Sequence, residues 1–189
     1  MNTYKGKMKI LALSGSLREK SYNKAALEAL SLVAPEGVDV SVFDGIRDLP
    51  LFNPDLEDER VLPVAILKDA LGVADGLVIA SPEYAHGISG VLKNALDWLV
   101  SGEEFVGMPI MLINTSPRAT HAQEALREVV VTMSGIIVER ACFSIPLLGS
   151  SLDATGILNN AELHALLKLH LRTFCEGIQA CRVSQSQPE

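Results

Sequence analysis

Between Lys9 and Asn23 an apolar run, Ile10-Leu-Ala-Leu13, gives way to Ser14-Gly-Ser-Leu-Arg18 and then to Ser21-Tyr-Asn23. Three serines, an arginine and an asparagine thus fall within ten residues where a strand hands over to a helix. Amides at a helix N-terminus point outward without intrahelical partners and carry partial positive charge. An anion placed there is met by N–H groups, hydroxyls and a guanidinium together. The chemistry suited to this spacing is the grip of a phosphate. A single serine at this point would read as a helix cap; the full set reads as a ligand loop. Gly15 is the only glycine between Gly6 and Gly37, so neither a P-loop nor a Gly-x-Gly-x-x-Gly dinucleotide fingerprint can be built at this turn.

A second loop with chemistry in it is Ser81-Pro-Glu-Tyr-Ala-His-Gly-Ile-Ser-Gly90. Pro82 stiffens it, Gly87 and Gly90 permit close approach, and Tyr84 and His86 offer flat faces beside exposed backbone amides. A loop of this kind suits a flat ring that can hydrogen-bond. Other constellations are weak. His164 and His170 lie six apart with no carboxylate at the interval of a helical zinc motif, so no metal site is expected. There is no Gly-x-Ser-x-Gly elbow for a hydrolase. Cys142, Cys175 and Cys181 are odd in number and lack metal-type spacing, so packed, reduced thiols are expected.

The elements that must position these loops alternate along the chain. Strands are expected at Met8–Ser14, Val38–Phe43, Gly76–Ala80, Pro109–Asn114 and Ile136–Ser144. Helices are expected at Asn23–Val33, Val61–Val73 (Leu62, Ile66, Leu67 and Leu71 inward), Gly90–Val100, His121–Met133 and Asn160–Cys181. Strict alternation implies an α/β fold of three layers: a five-stranded parallel sheet with helices on both faces and right-handed crossovers. A single phosphate turn after the first strand favours the order 2-1-3-4-5. In that order the ligand crevice opens between strands one and three, beyond their carboxyl ends, where both loops emerge. The compositional oddity is Asp44–Arg60, with two prolines, six acids and an apolar centre, Leu49-Pro-Leu-Phe52.

The 189 residues, 48% hydrophobic and 21% charged, suit one soluble domain, assigned to residues 1–182, with a polar tail at 183–189. A net charge of −7 and the lack of a Lys/Arg cluster argue against nucleic-acid binding. The longest apolar runs are of strand length, so no membrane span is expected. Residues 1–7 lack the apolar centre of a secretory signal, and cytoplasmic residence is expected.

Three segments together resemble the NADPH-dependent FMN reductases of the flavodoxin-like fold, a group that includes quinone, azo-dye and chromate reductases. They are Gly15-Ser-Leu-Arg-x-x-Ser-x-Asn23, Leu49-Pro-Leu-Phe-Asn-Pro-Asp55, and Ser81-Pro-Glu-Tyr84 with Gly90-Val-Leu-Lys-Asn-Ala-Leu-Asp-Trp98. The resemblance implies FMN as cofactor and NADPH or NADH as co-substrate. It implies a cofactor-binding set of Ser14, Ser16, Leu17, Arg18, Ser21, Tyr22 and Asn23 in the first loop, with Ser16, Arg18, Ser21 and Asn23 at the phosphate. In the second loop the set is Pro82, Glu83, Tyr84, Ala85, His86 and Gly87, with the Pro82–Tyr84 backbone along the isoalloxazine. Thr115 and Ser116 belong to Thr115-Ser-Pro-Arg118, which approaches from the end of strand four. Ala85 stands where many such proteins carry asparagine, and Thr115–Gln123 lacks the paired glycines often found there. The resemblance further implies a homodimer or homotetramer, with the Trp98 helix at the subunit boundary, and a small-molecule electron acceptor. Hydride transfer is chemistry the flavin carries itself, so no catalytic side chain is assigned. The competing expectation is a flavodoxin-like electron carrier without NAD(P)H turnover.

Overall fold

The computed structural model describes residues 7–185. Its elements follow in the order β1 (Met8–Ser14), α1 (Tyr22–Leu32), β2 (Val38–Phe43), α2 (Leu62–Gly72), β3 (Gly76–Ala80), β4 (Glu83–Tyr84), β5 (Gly87–Ile88), α3 (Gly90–Asp97), β6 (Pro109–Asn114), α4 (Thr120–Thr132), β7 (Ile136–Ile137), β8 (Phe143–Ser144), α5 (Ala154–Asn159) and α6 (Ala161–Gln185). The sheet runs β2-β1-β3-β6, with β7 and β8 both beside β6, and every pairing in it is parallel. The expected α/β architecture and strand order therefore stand.

Alternate residues of the central strands serve opposite faces, as the two-residue repeat of a strand requires. Ile10, Ala12, Val78, Ala80, Met111 and Ile113 pack with Leu27 and Leu30 of α1 and Leu171, Phe174 and Ile178 of α6. Leu11, Leu13, Leu77, Ile79, Ile110 and Leu112 pack with Leu67 and Leu71 of α2, Leu92 and Leu96 of α3, and Leu126 and Val130 of α4. Each fully buried Leu or Ile contributes about 1.5–3 kcal/mol relative to exposure. A strand apolar on both faces is thereby held between two helical layers. β2, at the edge, alternates at Val38–Ser41 between buried and exposed residues.

Four differences from the sequence expectation have physical causes. The expected fifth strand is broken: β6 advances three residues from Ile110 to Ile113 while its neighbour advances six from Ile137 to Phe143. The surplus forms a 3-10 turn at Glu139–Ala141 carrying two exposed charged residues, and Leu112 N–H donates to Cys142 Sγ at 3.3 Å instead of to a strand carbonyl. Ala154–Asn159 is a helix too short to leave a periodic signal, capped by Asp153, whose Oδ1 accepts from Gly156 N–H at 2.8 Å. On α2, Val64, Leu67 and Leu71 face the core while Leu62 and Ile66 face outward. Two apolar stripes were present, and only packing against the sheet selected one. Finally α6 continues through Gln185, so 183–185 of the expected tail are helical and 186–189 lie outside the described residues.

Candidate cofactor site

Parallel register brings three loops to one end of the sheet. Ser14 pairs with Ala80 and Ala80 with Ile113, so the chain leaves β1, β3 and β6 side by side. Gly15 lies where the first two meet. Its N–H donates to Ala80 O at 2.8 Å, and a Cβ there would stand 2.9 Å from both the Ser81 and the Ser89 hydroxyl oxygens. A side chain there would have to push both hydroxyls aside against the Leu92 Cβ at 3.3 Å.

Past Gly15 the polar side chains are wired in one sense. Ser16 Oγ accepts from Arg18 N–H at 3.4 Å, Ser21 Oγ from Lys24 N–H at 3.4 Å, and Ser116 Oγ from Arg118 N–H at 3.3 Å. Asn23 Oδ1 accepts from the Thr115 hydroxyl at 3.0 Å, tying the first turn of α1 to the loop after β6. A hydroxyl that accepts inward keeps its own O–H for a group outside, and Asn23 keeps its amide hydrogens. The first amides of α1 add donors of their own. Ser21 caps α1 through its oxygen while its own O–H remains unspent, so the cap and ligand readings of that serine do not compete.

The facing wall is the β4–β5 hairpin, in which Glu83 pairs with Ile88 and Tyr84 with Gly87. Ala85 and His86 form its turn with φ of 49° and 59°. A two-residue turn of this hand normally uses Asn or Gly, because other side chains crowd the following carbonyl. Glu83 Oε2 accepts from Ala122 N–H at 2.9 Å and Oε1 lies 3.2 Å from His86 Nδ1. The Ala122 amide, with His86 and His121 in support and partial burial in opposition, holds the Glu83 carboxyl below its ordinary 4.5.

The loop after β6 is held without glycines. Asn114 Oδ1 accepts from Ser116 N–H at 3.0 Å and its amide donates to Ala119 O. Next to α3, Asn94 grips the Leu49–Phe52 segment from both sides: Oδ1 accepts from Phe52 N–H at 2.8 Å and Nδ2 donates to Pro50 O at 2.9 Å. Trp98 Nε1 donates to the same carbonyl at 2.8 Å, and its ring meets Phe52 edge-on at 5.1 Å. Trp98 is 2% exposed, so this side chain is consumed by packing within its own chain.

These walls enclose a cavity of about 260 Å³ lined by Ser16, Arg18, Ser21, Tyr22 and Asn23 from the first loop, and by Pro82, Glu83 and Tyr84 from the second. Thr115, Ser116, Arg118, Ala119 and Leu148 complete the lining. The two stretches that the sequence set far apart share one pocket. Five expected residues lie outside its lining. Ser14 is satisfied internally, accepting from Ser16 N–H at 3.3 Å and donating to Ser16 O, and with Leu17 it lines a neighbouring hollow of about 170 Å³ beside β2. Ala85, His86 and Gly87 shape the hairpin turn. Tyr22 lines the cavity, while its hydroxyl accepts from Ser151 N–H at 3.2 Å and so anchors the loop after β8. Ala119 and Leu148 were missed. The signal for Leu148 was its position just past the last strand, at the end where ligands of such sheets bind.

A donor-rich turn and a facing hairpin, meeting at the switch point of a doubly wound sheet, give the chain the architecture of the flavodoxin-like fold. Residues 8–147 match the family described as NADPH-dependent FMN reductase. The chain belongs to that family: it is an oxidoreductase that works with FMN and NAD(P)H. Among its relatives, the quinone reductase of Escherichia coli (strain K12) is 30% identical over 187 residues, covering 94% of this chain and 98% of the relative. An NAD(P)H-dependent FMN reductase of Pseudomonas aeruginosa is 34% identical over 174 residues, covering 88% and 93%. Among solved structures, the flavoenzyme NAD(P)H:(acceptor) oxidoreductase FerB of Paracoccus denitrificans superposes with a TM-score of 0.77 at 25% identity, over 92% of this chain and 98% of that one. The donor set fits the cofactor: outward O–H and N–H groups and Arg18 suit a phosphate, and the hairpin offers a stiff backbone edge to a ring.

Proposed function

We propose that the protein passes reducing equivalents from NAD(P)H to a small quinone-type acceptor, with FMN held in the cavity between the Ser16–Asn23 and Pro82–Tyr84 segments. The observation that carries this reading is the shared cavity, lined on the first-loop side by Ser16, Ser21 and Asn23, whose oxygens accept bonds from within the fold and leave their own donors unspent. Arg18, the Ser16 and Ser21 hydroxyls and the first amides of α1 bind the phosphate. Asn23 and Thr115, locked together, fix that wall, and the Pro82–Tyr84 backbone orients the ring. FMN supplies the hydride chemistry when bound. The chain contributes position and electrostatics, and none of its side chains acts as nucleophile or general acid. The names of the relatives support a quinone as acceptor: one is a quinone reductase, and another, from Burkholderia, is a 2-hydroxy-1,4-benzoquinone reductase at 31% identity over 182 residues.

The proposal includes a cytoplasmic homodimer or homotetramer. The outward apolar stripe of α2, Leu62 at 62% and Ile66 at 51% exposure, supports a subunit contact on that helix. Among the described residues no helix is long and apolar enough to cross a membrane.

The test is spectroscopic and kinetic. Purified protein should carry flavin absorption or take up added FMN, and should oxidise NAD(P)H in steady state with p-benzoquinone. Bound flavin without turnover would indicate an electron carrier. Protein that binds no FMN and leaves NADPH absorbance unchanged overturns the reading. Sedimentation at micromolar concentration checks the oligomer.

A further inference from the structure

One carboxylate joins the two walls of the cavity. Glu83 belongs to the hairpin, yet its Oε2 accepts from the N–H of Ala122, 39 residues away in the first turn of α4. The residue at the start of that helix, Ala119, makes no side-chain cap, so Glu83 supplies the capping oxygen from outside. Its second oxygen faces His86 Nδ1 at 3.2 Å, and the His86 ring meets His121 of α4 edge-on with centroids 4.6 Å apart. In the segment that runs into α4, Thr115, Ser116, Arg118 and Ala119 line the cavity. The hairpin also needs outside support, since neither residue of its positive-φ turn is Gly or Asn.

We propose that Glu83 is a positioning residue for the flavin reaction, setting the spacing between the ring-side hairpin and the fourth-strand loop through the Ala122 amide and His86. This rests on FMN occupying the cavity. A cap local to α4 would satisfy the helix equally well and leave the hairpin free; a cap delivered from the hairpin fixes the two relative to each other. Glu83 thus acts on the geometry of the site without contact to the reacting atoms.

Hydrogen exchange on the protein without flavin reads the tie directly. Glu83→Ala is expected to accelerate exchange about tenfold in both Tyr84–Ile88 and Thr120–Glu124, while Glu83→Gln, which keeps an acceptor oxygen, stays within about threefold of wild type. At saturating FMN, Glu83→Ala should lower kcat about tenfold with KM for NAD(P)H unchanged and weaken the visible circular dichroism of the flavin, and Glu83→Gln should restore both. Acceleration confined to α4 means a helix cap only and overturns the proposal, as do unchanged kcat and dichroism. If Glu83→Ala does not fold, Glu83→Asp, one methylene too short for both partners, carries the same measurements. Wild-type protein that binds no FMN overturns the cofactor reading and this proposal with it. FMN-binding protein indifferent to Glu83→Ala overturns this proposal alone.

Discussion

Arg18 is exposed on the rim of the first loop and has no ion-pair partner among the described residues, while its backbone N–H is spent on Ser16 Oγ. Its guanidinium is therefore available to a phosphate at little internal cost. Arg18→Ala should weaken FMN binding by about 1.5–3 kcal/mol, the range of a charge-assisted hydrogen bond, and leave the melting temperature of the flavin-free protein unchanged. Titration of apoprotein with FMN checks the first part and a thermal scan the second. Ala85 is the opposite case, a residue whose backbone works against its side chain. At φ 49° it sits where an L-residue with a Cβ is crowded by the next carbonyl. Ala85→Asn should stabilise the protein by about 1 kcal/mol, since Asn tolerates this conformation. Chemical denaturation measures it; equal or lower stability would show that the hairpin holds the turn without strain.

At the scale of elements, α3 does more than cover the sheet. Asn94 of α3 and Trp98 just past its end lie one turn apart and fasten the backbone of Pro50 and Phe52, so the acidic, proline-bearing connection between β2 and α2 is anchored at its apolar centre. Asn94→Ala removes two of the three bonds and should cost about 1–3 kcal/mol, at about 0.5–1.5 kcal/mol per net hydrogen bond. Limited proteolysis should show new cleavage near Leu51, which is already 85% exposed. The apolar heart of that connection was legible in the sequence, but its anchor was not: the partners are 42 to 48 residues away, and neither Asn94 nor Trp98 carries a local sign of what it will hold. The broken fifth strand follows the same logic, since an edge position lets three extra residues loop out where a central strand would lose its ladder.

For the whole molecule, two groups couple stability to acidity. Burial of the His170 ring, stacked on Phe143, holds its pKa below the ordinary 6.5 against the opposing bond to Ala141 O, and the Ala122 amide holds Glu83 below 4.5. Both groups bind their proton more readily when unfolded. The stability each contributes is complete above its ordinary value and is lost as pH falls through its lower folded value. Urea midpoints followed from pH 8 to pH 3 (an interval of about 5 units bracketing both ordinary values) should therefore fall in two stages. His170→Asn should remove the first stage without changing FMN affinity, because His170 packs on α6 against the 3-10 turn after β7, outside the cavity lining. Glu83→Gln should remove the second. A single acid transition unaffected by either variant would contradict this assignment.

The sequence by itself determined the alternation of elements, the strand order and the two loops of the site. These depend on short-range patterns: two-residue and 3.6-residue periodicity, serines and arginine in one turn, and proline and glycine in another. It could not decide which of two apolar stripes on α2 would face the sheet, that Trp98 would be consumed by Pro50, or that Leu148 would close the cavity. Nor could it show that Glu83 would reach Ala122 as well as His86 of its own hairpin. Each of those choices is a contact between residues distant along the chain, and such a contact acquires its energy only when packing has already fixed both partners in space.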